Sequence, residues 1–211
     1  MIKLVSKLNS QQIMARYLSN LFSNMILVVV LCVSMLWPSA PQKFNFRHLS
    51  LMDGLSQSTI YSIHQDEFGY MWFGTEDGLN KYDGYDIKIY RHIFSDDKSL
   101  NDNTIYSIAE SDDGYLWLGT HSGGLNKFNL NNSEVLHYLN NPDDKSSLSS
   151  NYIYKVLVNQ FPNDEKYELW IGTDNGLNQF NPETGIVNRY LHNENDINSI
   201  PDNDVQELFI D

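Results

Sequence analysis

The chain has 211 residues, 41% of them apolar and 13% aromatic, enough material for a core and too much for a wholly disordered polypeptide. Fourteen Lys and Arg stand against 27 Asp and Glu, a net charge of −13, which argues against nucleic acid as a partner because nucleic-acid binders carry a basic stripe. One cysteine, Cys32, excludes a disulfide framework, a cysteine zinc cluster and an iron–sulfur site.

The first element in chain order differs from the rest. Residues 1–47 hold Lys3, Lys7, Arg16, Lys43 and Arg47 and no acid, so residues 48–211 carry nine basic and 27 acidic side chains, a net of −18. Such a switch marks a boundary. Residues 17–42 are uncharged, and the run 25–37 (MILVVVLCVSMLW) is almost wholly apolar. Its length suits a signal-peptide core, whereas the uncharged stretch 17–37 would span about 31 Å as a helix, the thickness of a hydrocarbon layer. Pro38 and Pro41 flank Ala40 and disfavour cleavage there. Residues 1–43 are therefore expected to be a cytoplasmic leader and an uncleaved signal anchor, with a cleaved signal peptide as the alternative. A buried soluble helix would need a polar face, which 26–33 lacks. Both membrane readings keep the N-terminus in the cytoplasm and export the acidic remainder.

The acidic remainder, 44–211, is a repeat. Residues 70–82 read YMWFGTEDGLNKY, 115–128 YLWLGTHSGGLNKF and 169–180 LWIGTDNGLNQF. A second shared segment precedes each: LSQSTIYSIHQD at 55, LNDNTIYSIAE at 100 and LSSNYIYKVLV at 148, with a further start, IPDNDVQELFID, at 200. Tyr90, Tyr138 and Tyr190 stand ten residues before the last three starts. Spacings of 45, 48 and 52 residues are those of propeller blades, although helical repeats overlap that range. Period-2 alternation, β-branched and aromatic enrichment, and turn signals such as Asp77-Gly78, Asp83-Gly84 and Asn175-Gly176 decide for strands. In the first copy the strands are expected near 59–65, 70–75, 78–83 and 86–93. The fold class is all-β: an incomplete β-propeller of three four-stranded blades plus the first strand of a fourth, after an N-terminal membrane helix. Residues 44–49 align with the last strand of a unit.

The repeated positions have structural readings. Trp72, Trp117 and Trp170 occupy one place on one strand and are expected to wedge between blades, each burying on the order of 200 Å². Gly74, Gly119 and Gly172 follow two residues later, as a close backbone approach requires. Gly78, Gly124 and Gly176 supply positive φ for a tight turn. The third copy is about five residues longer over 159–168, and the second has an extra glycine, Gly123; loop variation of this kind maps to one face of a repeat array.

The segment GLSQSTIYSIHQDEFGYMWFGTEDGLNKYDG (54–84) resembles the first repeat of the two-component regulator propeller family, and the later copies look like the same repeat. The resemblance covers roughly 44–211. It implies a membrane-anchored bacterial sensor: an extracytoplasmic propeller array, usually with a β-sandwich module, then a membrane helix and a histidine kinase, hybrid kinase–regulator or diguanylate cyclase output. It also implies an inner-membrane location with a periplasmic propeller (periplasmic outright if the signal is cleaved), admits a homodimer of the full-length protein, and includes glycans among the ligands. Closed propellers have typically 4–8 blades and this family resembles seven-bladed rings, so the chain is expected to be the N-terminal part of a longer sensor.

Catalysis is not expected. His48, His64, His92, His121, His137 and His192 match no zinc spacing, and His92 and His192 are equivalent repeat positions with Asn140 between them. Asp66-Glu67, Asp112-Asp113, Asp143-Asp144 and 193–196 read as solvated turns and match no calcium loop. No catalytic residue, metal ligand or cofactor is assigned, and the ligand-binding residues are unknown at this level. Two functions follow: a non-catalytic ligand-sensing module, or part of a secreted propeller carbohydrate-active enzyme or adhesion scaffold. Because repeats are stabilised by their neighbours and open edges associate, residues 44–211 alone are expected to be marginally stable or to aggregate. A sharp cooperative melt of a soluble monomer, followed by circular dichroism and light scattering, is the outcome that contradicts this.

Overall fold

A computed structural model describes residues 14–27, 45–160 and 166–210. The chain divides into two units, Met1–Arg47 and His48–Asp211.

In the first unit residues 14–27 form a helix. Arg16, Ser19, Asn20, Ser23 and Asn24 fall along one side at helical period. Among the described residues no helix is long and apolar enough to cross a membrane. The expected membrane helix is corrected to that extent. Residues 28–43, with most of the run 25–37, lie outside the described residues.

The second unit opens with a 3₁₀ turn, Leu51–Asp53, closed by a capping box in which Asp53 Oδ2 accepts from the Ser50 N–H at 2.9 Å. This local bond uses the Ser50 donor, and residues 45–50 form no strand, against the alignment of 44–49 with a last strand.

Among the described residues twelve strands follow. They are β1 Ile60–Gln65, β2 Met71–Thr75, β3 Gly78–Tyr82, β4 Ile87–Tyr90, β5 Ile105–Ser111, β6 Tyr115–Thr120, β7 Leu125–Asn129, β8 Val135–Tyr138, β9 Ile153–Gln160, β10 Tyr167–Thr173, β11 Gly176–Phe180 and β12 Val187–Tyr190. They make three four-stranded antiparallel meanders, β1-β2-β3-β4, β5-β6-β7-β8 and β9-β10-β11-β12. The turns are local chemistry. Asp66 Oδ1 accepts from the Phe68 and Tyr70 N–H groups at 3.1 and 2.8 Å and closes the β1–β2 turn. Thr75, Thr120 and Thr173 each donate through Oγ1 to the carbonyl of Gly78, Gly124 and Gly176 at 2.8–2.9 Å, holding the β2–β3 type of turn. Those glycines have φ of 109°, 67° and 106°, a region costly for other residues.

The core lies between successive sheets. One cluster joins Trp72 and Leu79 of the first sheet to Leu100, Ile105, Leu116 and Phe128, in the second sheet and the segment leading into it; another joins Trp117 and Leu125 to Leu148, Ile153, Leu169 and Phe180. Trp72 stacks on Tyr90 at 5.9 Å and meets Phe128 edge-on at 5.5 Å; Trp117 lies 5.8 Å from Tyr138 and 5.6 Å from Phe180. Each buried indole N–H needs an acceptor. The first sheet supplies Asp66 Oδ2 at 2.8 Å, the second Ser111 Oγ at 3.2 Å and the third Glu168 Oε1 at 3.1 Å.

Trp170 stacks on Tyr190 at 5.7 Å but is only half-buried. The expected first strand of a fourth blade is likewise not formed: residues 204–210 have no strand assignment. A strand is a property of a pair, and these residues have no antiparallel ladder among the described residues. The segment nonetheless docks, with the Val205 N–H donating to the Thr173 carbonyl at 2.9 Å.

Trp117→Ala is expected to cost about 3–5 kcal/mol, the range for large aromatic truncation in a core, and Trp170→Ala clearly less. Urea unfolding of the two variants checks the difference.

Candidate ligand-binding face

The first strands of neighbouring sheets, β1, β5 and β9, run beside one another. Two things bring them close. Gly74 faces Ile105, where an added Cβ would lie 2.7 Å from the Ile105 carbonyl oxygen, and Gly119 faces Ile153 in the same way at 2.7 Å from its Cγ2. An added Cβ on Gly172 would strike the Val205 carbonyl. Serines then bridge the strands: Ser62 Oγ accepts from the Ile108 N–H at 3.1 Å, and Ser107 Oγ from the Val156 N–H at 3.0 Å.

At the same end of each first strand the ladder slips. Ile60 pairs with Thr75 and Ser62 with Gly74, so Tyr61 is an extra residue; Tyr106 and Tyr154 are left over in the same way. A β-bulge re-aims the side chain it carries, and here it collects tyrosines. Tyr61 meets Tyr106 edge-on at 4.8 Å, Tyr106 lies 5.6 Å from Tyr152, and Tyr152 meets Tyr154 at 4.8 Å. His121 joins them, 4.7 Å from Tyr152 and 6.0 Å from Tyr106.

Tyr61 Oη donates to Glu76 Oε1 at 3.1 Å, and the Tyr152 and Tyr106 hydroxyls are hydrogen-bonded to each other at 3.1 Å. The Asp204 carboxylate lies beside Tyr154. Partial burial and the adjacent Glu76 carboxylate raise the Tyr61 pKa; burial and the Tyr152 hydroxyl raise that of Tyr106; burial and Asp204 raise that of Tyr154. All three phenols therefore stay neutral at physiological pH.

The loops that carry this face are pinned by the repeat. Asn80, Asn126 and Asn178 are buried and accept through Oδ1 from the N–H of Ser56, Asn101 and Ser149, each at 2.9 Å. Asn103, Asn151 and Asn203 accept from the N–H of His92, Asn140 and His192, each at 2.7 Å, and offer their carbonyls to Gly78, Gly124 and Gly176 of the preceding sheet. His92, Asn140 and His192 bond in turn to the carbonyls of Leu100, Leu148 and Ile200. Asp102 ties the loop before β5 to the turn bearing His121, accepting from the Ser122 N–H at 2.6 Å and Thr104 N–H at 3.0 Å. The extra Gly123 packs on Asn101 and Asp102, where a Cβ would be 2.8 Å away; most of the insertion 159–168 lies outside the described residues.

Trp72, Trp117 and Trp170 sit between the sheets or on the open side of the third, and Gly74, Gly119, Gly172, Gly78, Gly124 and Gly176 at close approaches or turns. None of the nine is on the tyrosine face. That face was legible only as a tyrosine recurring in TIYSI, TIYSI and YIYKV, which strict alternation does not mark as special. Among the described residues no group of three or more His, Cys, Asp or Glu could hold a metal ion. His64 is paired with Glu110 at 2.7 Å, across two sheets.

Three successive four-stranded meanders, packed face to face through a recurring tryptophan with their first strands together, define a run of β-propeller blades. Residues 54–77 and 99–122 match the family model described as two component regulator propeller. The chain is similar to the extracellular domain of BT3049 of B. thetaiotaomicron, described as a hybrid two component system: 27% identity, TM-score 0.65, covering 75% of this chain and 21% of that one. The extracellular domain of BT4673 from the same organism, at 22% identity and TM-score 0.59, shares the fold. A 58-residue stretch is 48% identical to histidine kinase P4 of Formosa agariphila, covering 28% of this chain and 4% of the kinase. The chain thus spans a small part of the relatives it matches.

The half-buried Asp102 carboxylate is disfavoured by burial, but the bonds from Thr104 and Ser122 outweigh this and hold its pKa below the usual carboxylate range. A depressed folded pKa stabilises above the unfolded value of about 3.9, and that stability is lost as pH falls through the folded value. Asp102→Ala is expected to destabilise by about 1–3 kcal/mol at pH 7. The gap to the wild type should narrow as the pH is lowered below about 3.9, in urea titrations at neutral and acid pH.

Proposed function

We propose that these blades are a non-catalytic, ligand-sensing part of the extracytoplasmic propeller of a membrane-anchored bacterial signalling protein of the two-component type. The N-terminal segment serves as anchor or signal, with its start in the cytoplasm and the blades in the periplasm. The ligand is a glycan that stacks on the tyrosine face of β1, β5 and β9. Its binding biases a conformational equilibrium that passes across the membrane to a kinase or cyclase output in a full-length homodimer.

The single observation that carries this reading is the tyrosine face itself: Tyr61, Tyr106 and Tyr154, each at a bulge of a first strand, gathered with Tyr152. Aromatic faces stack on the C–H side of sugar rings, and the hydroxyls at their rim give orientation. The 27% identical solved relative, an extracellular domain of a hybrid two component system, supports the location and the class.

Two measurements test it. Alkaline phosphatase fused after residue 211 should be active in a bacterial host and β-galactosidase fused there should not; the reverse pattern sinks the topology. The full chain on a glycan array should retain a defined set of sugars, and Tyr61→Ala with Tyr106→Ala should lower retention at least about tenfold, the loss of roughly one stacking contact or more. Unchanged retention in the double variant removes the face from the mechanism.

A further inference from the structure

We infer that the tyrosine face selects a glycan bearing protonated amines, an oligomer of an amino sugar, over a neutral sugar of the same size. The inference rests on the reading of this face as the ligand site and adds the charge of what it takes.

Three observations converge. The face offers acceptors. Tyr61 has committed its hydroxyl proton to Glu76, and one proton is shared within the Tyr152–Tyr106 hydroxyl pair. The Tyr61 oxygen is left with lone pairs and the pair with one free donor, so the open sites of the row are mostly acceptors and a donor-rich ligand finds partners. Next, carboxylates stand at both ends of the row, Glu76 beside Tyr61, and Asp204 and Asp174 beside Tyr154. Between them run ring faces whose negative quadrupole attracts a cation. Finally, the cations nearby are already paired: Lys155 with Glu207 at 2.6 Å, and Arg91 with Asp77 at 2.9 Å on the other side of the Glu76-Asp77 turn. The blade region as a whole is at −18, which draws cations toward it and repels polyanionic glycans.

A bare cation would use the carboxylates and the ring quadrupoles but leave the apolar faces without a stacking partner. A neutral sugar would use the rings and leave the carboxylates unanswered. An amino sugar engages both, with the ring's C–H face on a tyrosine and the ammonium against Glu76 or Asp204.

The test is calorimetric titration of the full chain at about pH 6, where a sugar amine is charged, with three probes: a glucosamine trimer with free amines, its fully N-acetylated counterpart, and spermidine as a cation without a sugar face. The free-amine trimer should bind at least about tenfold more tightly than the acetylated trimer and than spermidine, the size of one cation–aromatic or charge-assisted contact. Raising the salt should narrow that gap. Glu76→Gln with Asp204→Asn, which keeps acceptors for Tyr61 and Tyr154 while removing the charge, should erase it, and Glu76→Gln alone should reduce it. Equal binding of the two trimers overturns the inference and leaves the glycan-binding face standing. Spermidine binding as tightly as the amine trimer overturns it by reducing the effect to charge. Binding of neither trimer overturns both the inference and the face on which it rests.

Discussion

The aromatic contact between successive sheets is what the rest of this structure depends on. A tryptophan from the second strand of one sheet lies on a tyrosine from the fourth strand of that sheet and against a phenylalanine from the third strand of the next: Trp72 with Tyr90 and Phe128, then Trp117 with Tyr138 and Phe180. Two of the three rings belong to one repeat and the third to its neighbour. No repeat can complete its own core, and the order of the blades follows from that incompleteness. Trp170 with Tyr190 shows the same pair without the third ring, and its exposure is the physical consequence.

Once the outer parts of the sheets are held by these rings, their first strands must converge. Convergence demands residues without a side chain at Gly74 and Gly119, and it leaves little room for a regular ladder where the strands begin. The ladder slips by one residue in all three sheets at the same place, and the residue expelled each time is a tyrosine. The candidate binding face is therefore a by-product of how blades pack, positioned by the tryptophans without touching them. The asparagine and threonine network around the turns keeps it rigid: Asn80, Asn126 and Asn178 are buried and fully bonded, so the loops carrying Glu76, His121 and Asp174 are not free to wander.

The polar clamps show how far equivalence in sequence reaches. His92, Asn140 and His192 occupy one repeat position, and all three bond to the carbonyl of the residue that opens the next repeat. Their shared position is plain in the sequence, yet histidine and asparagine share no obvious role until the carbonyl they face is seen. The reverse holds for 200–211. It aligns well with the earlier starts, but alignment carries no information about whether a partner strand lies alongside, and the segment docks on Gly172 without becoming a strand. The expected membrane helix rests on 17–37, of which 28–37 lie outside the described residues; in the described part, polar residues scattered through 17–24 interrupt the apolar stretch.

By itself the sequence determined the repeat, its period, the turns and, in the first copy, four strands to within one residue at every boundary but the last, because each rests on local chemistry: alternation, β-branching, and glycine or aspartate where a chain must reverse. The tertiary structure alone decided which residue slips out of each ladder, which hydroxyls pair, and that Tyr61, Tyr106 and Tyr154 of three first strands meet Tyr152, just before the third of them, on one face. Those are relations between segments some 46 residues apart, and they are set by how closely neighbouring strands can approach.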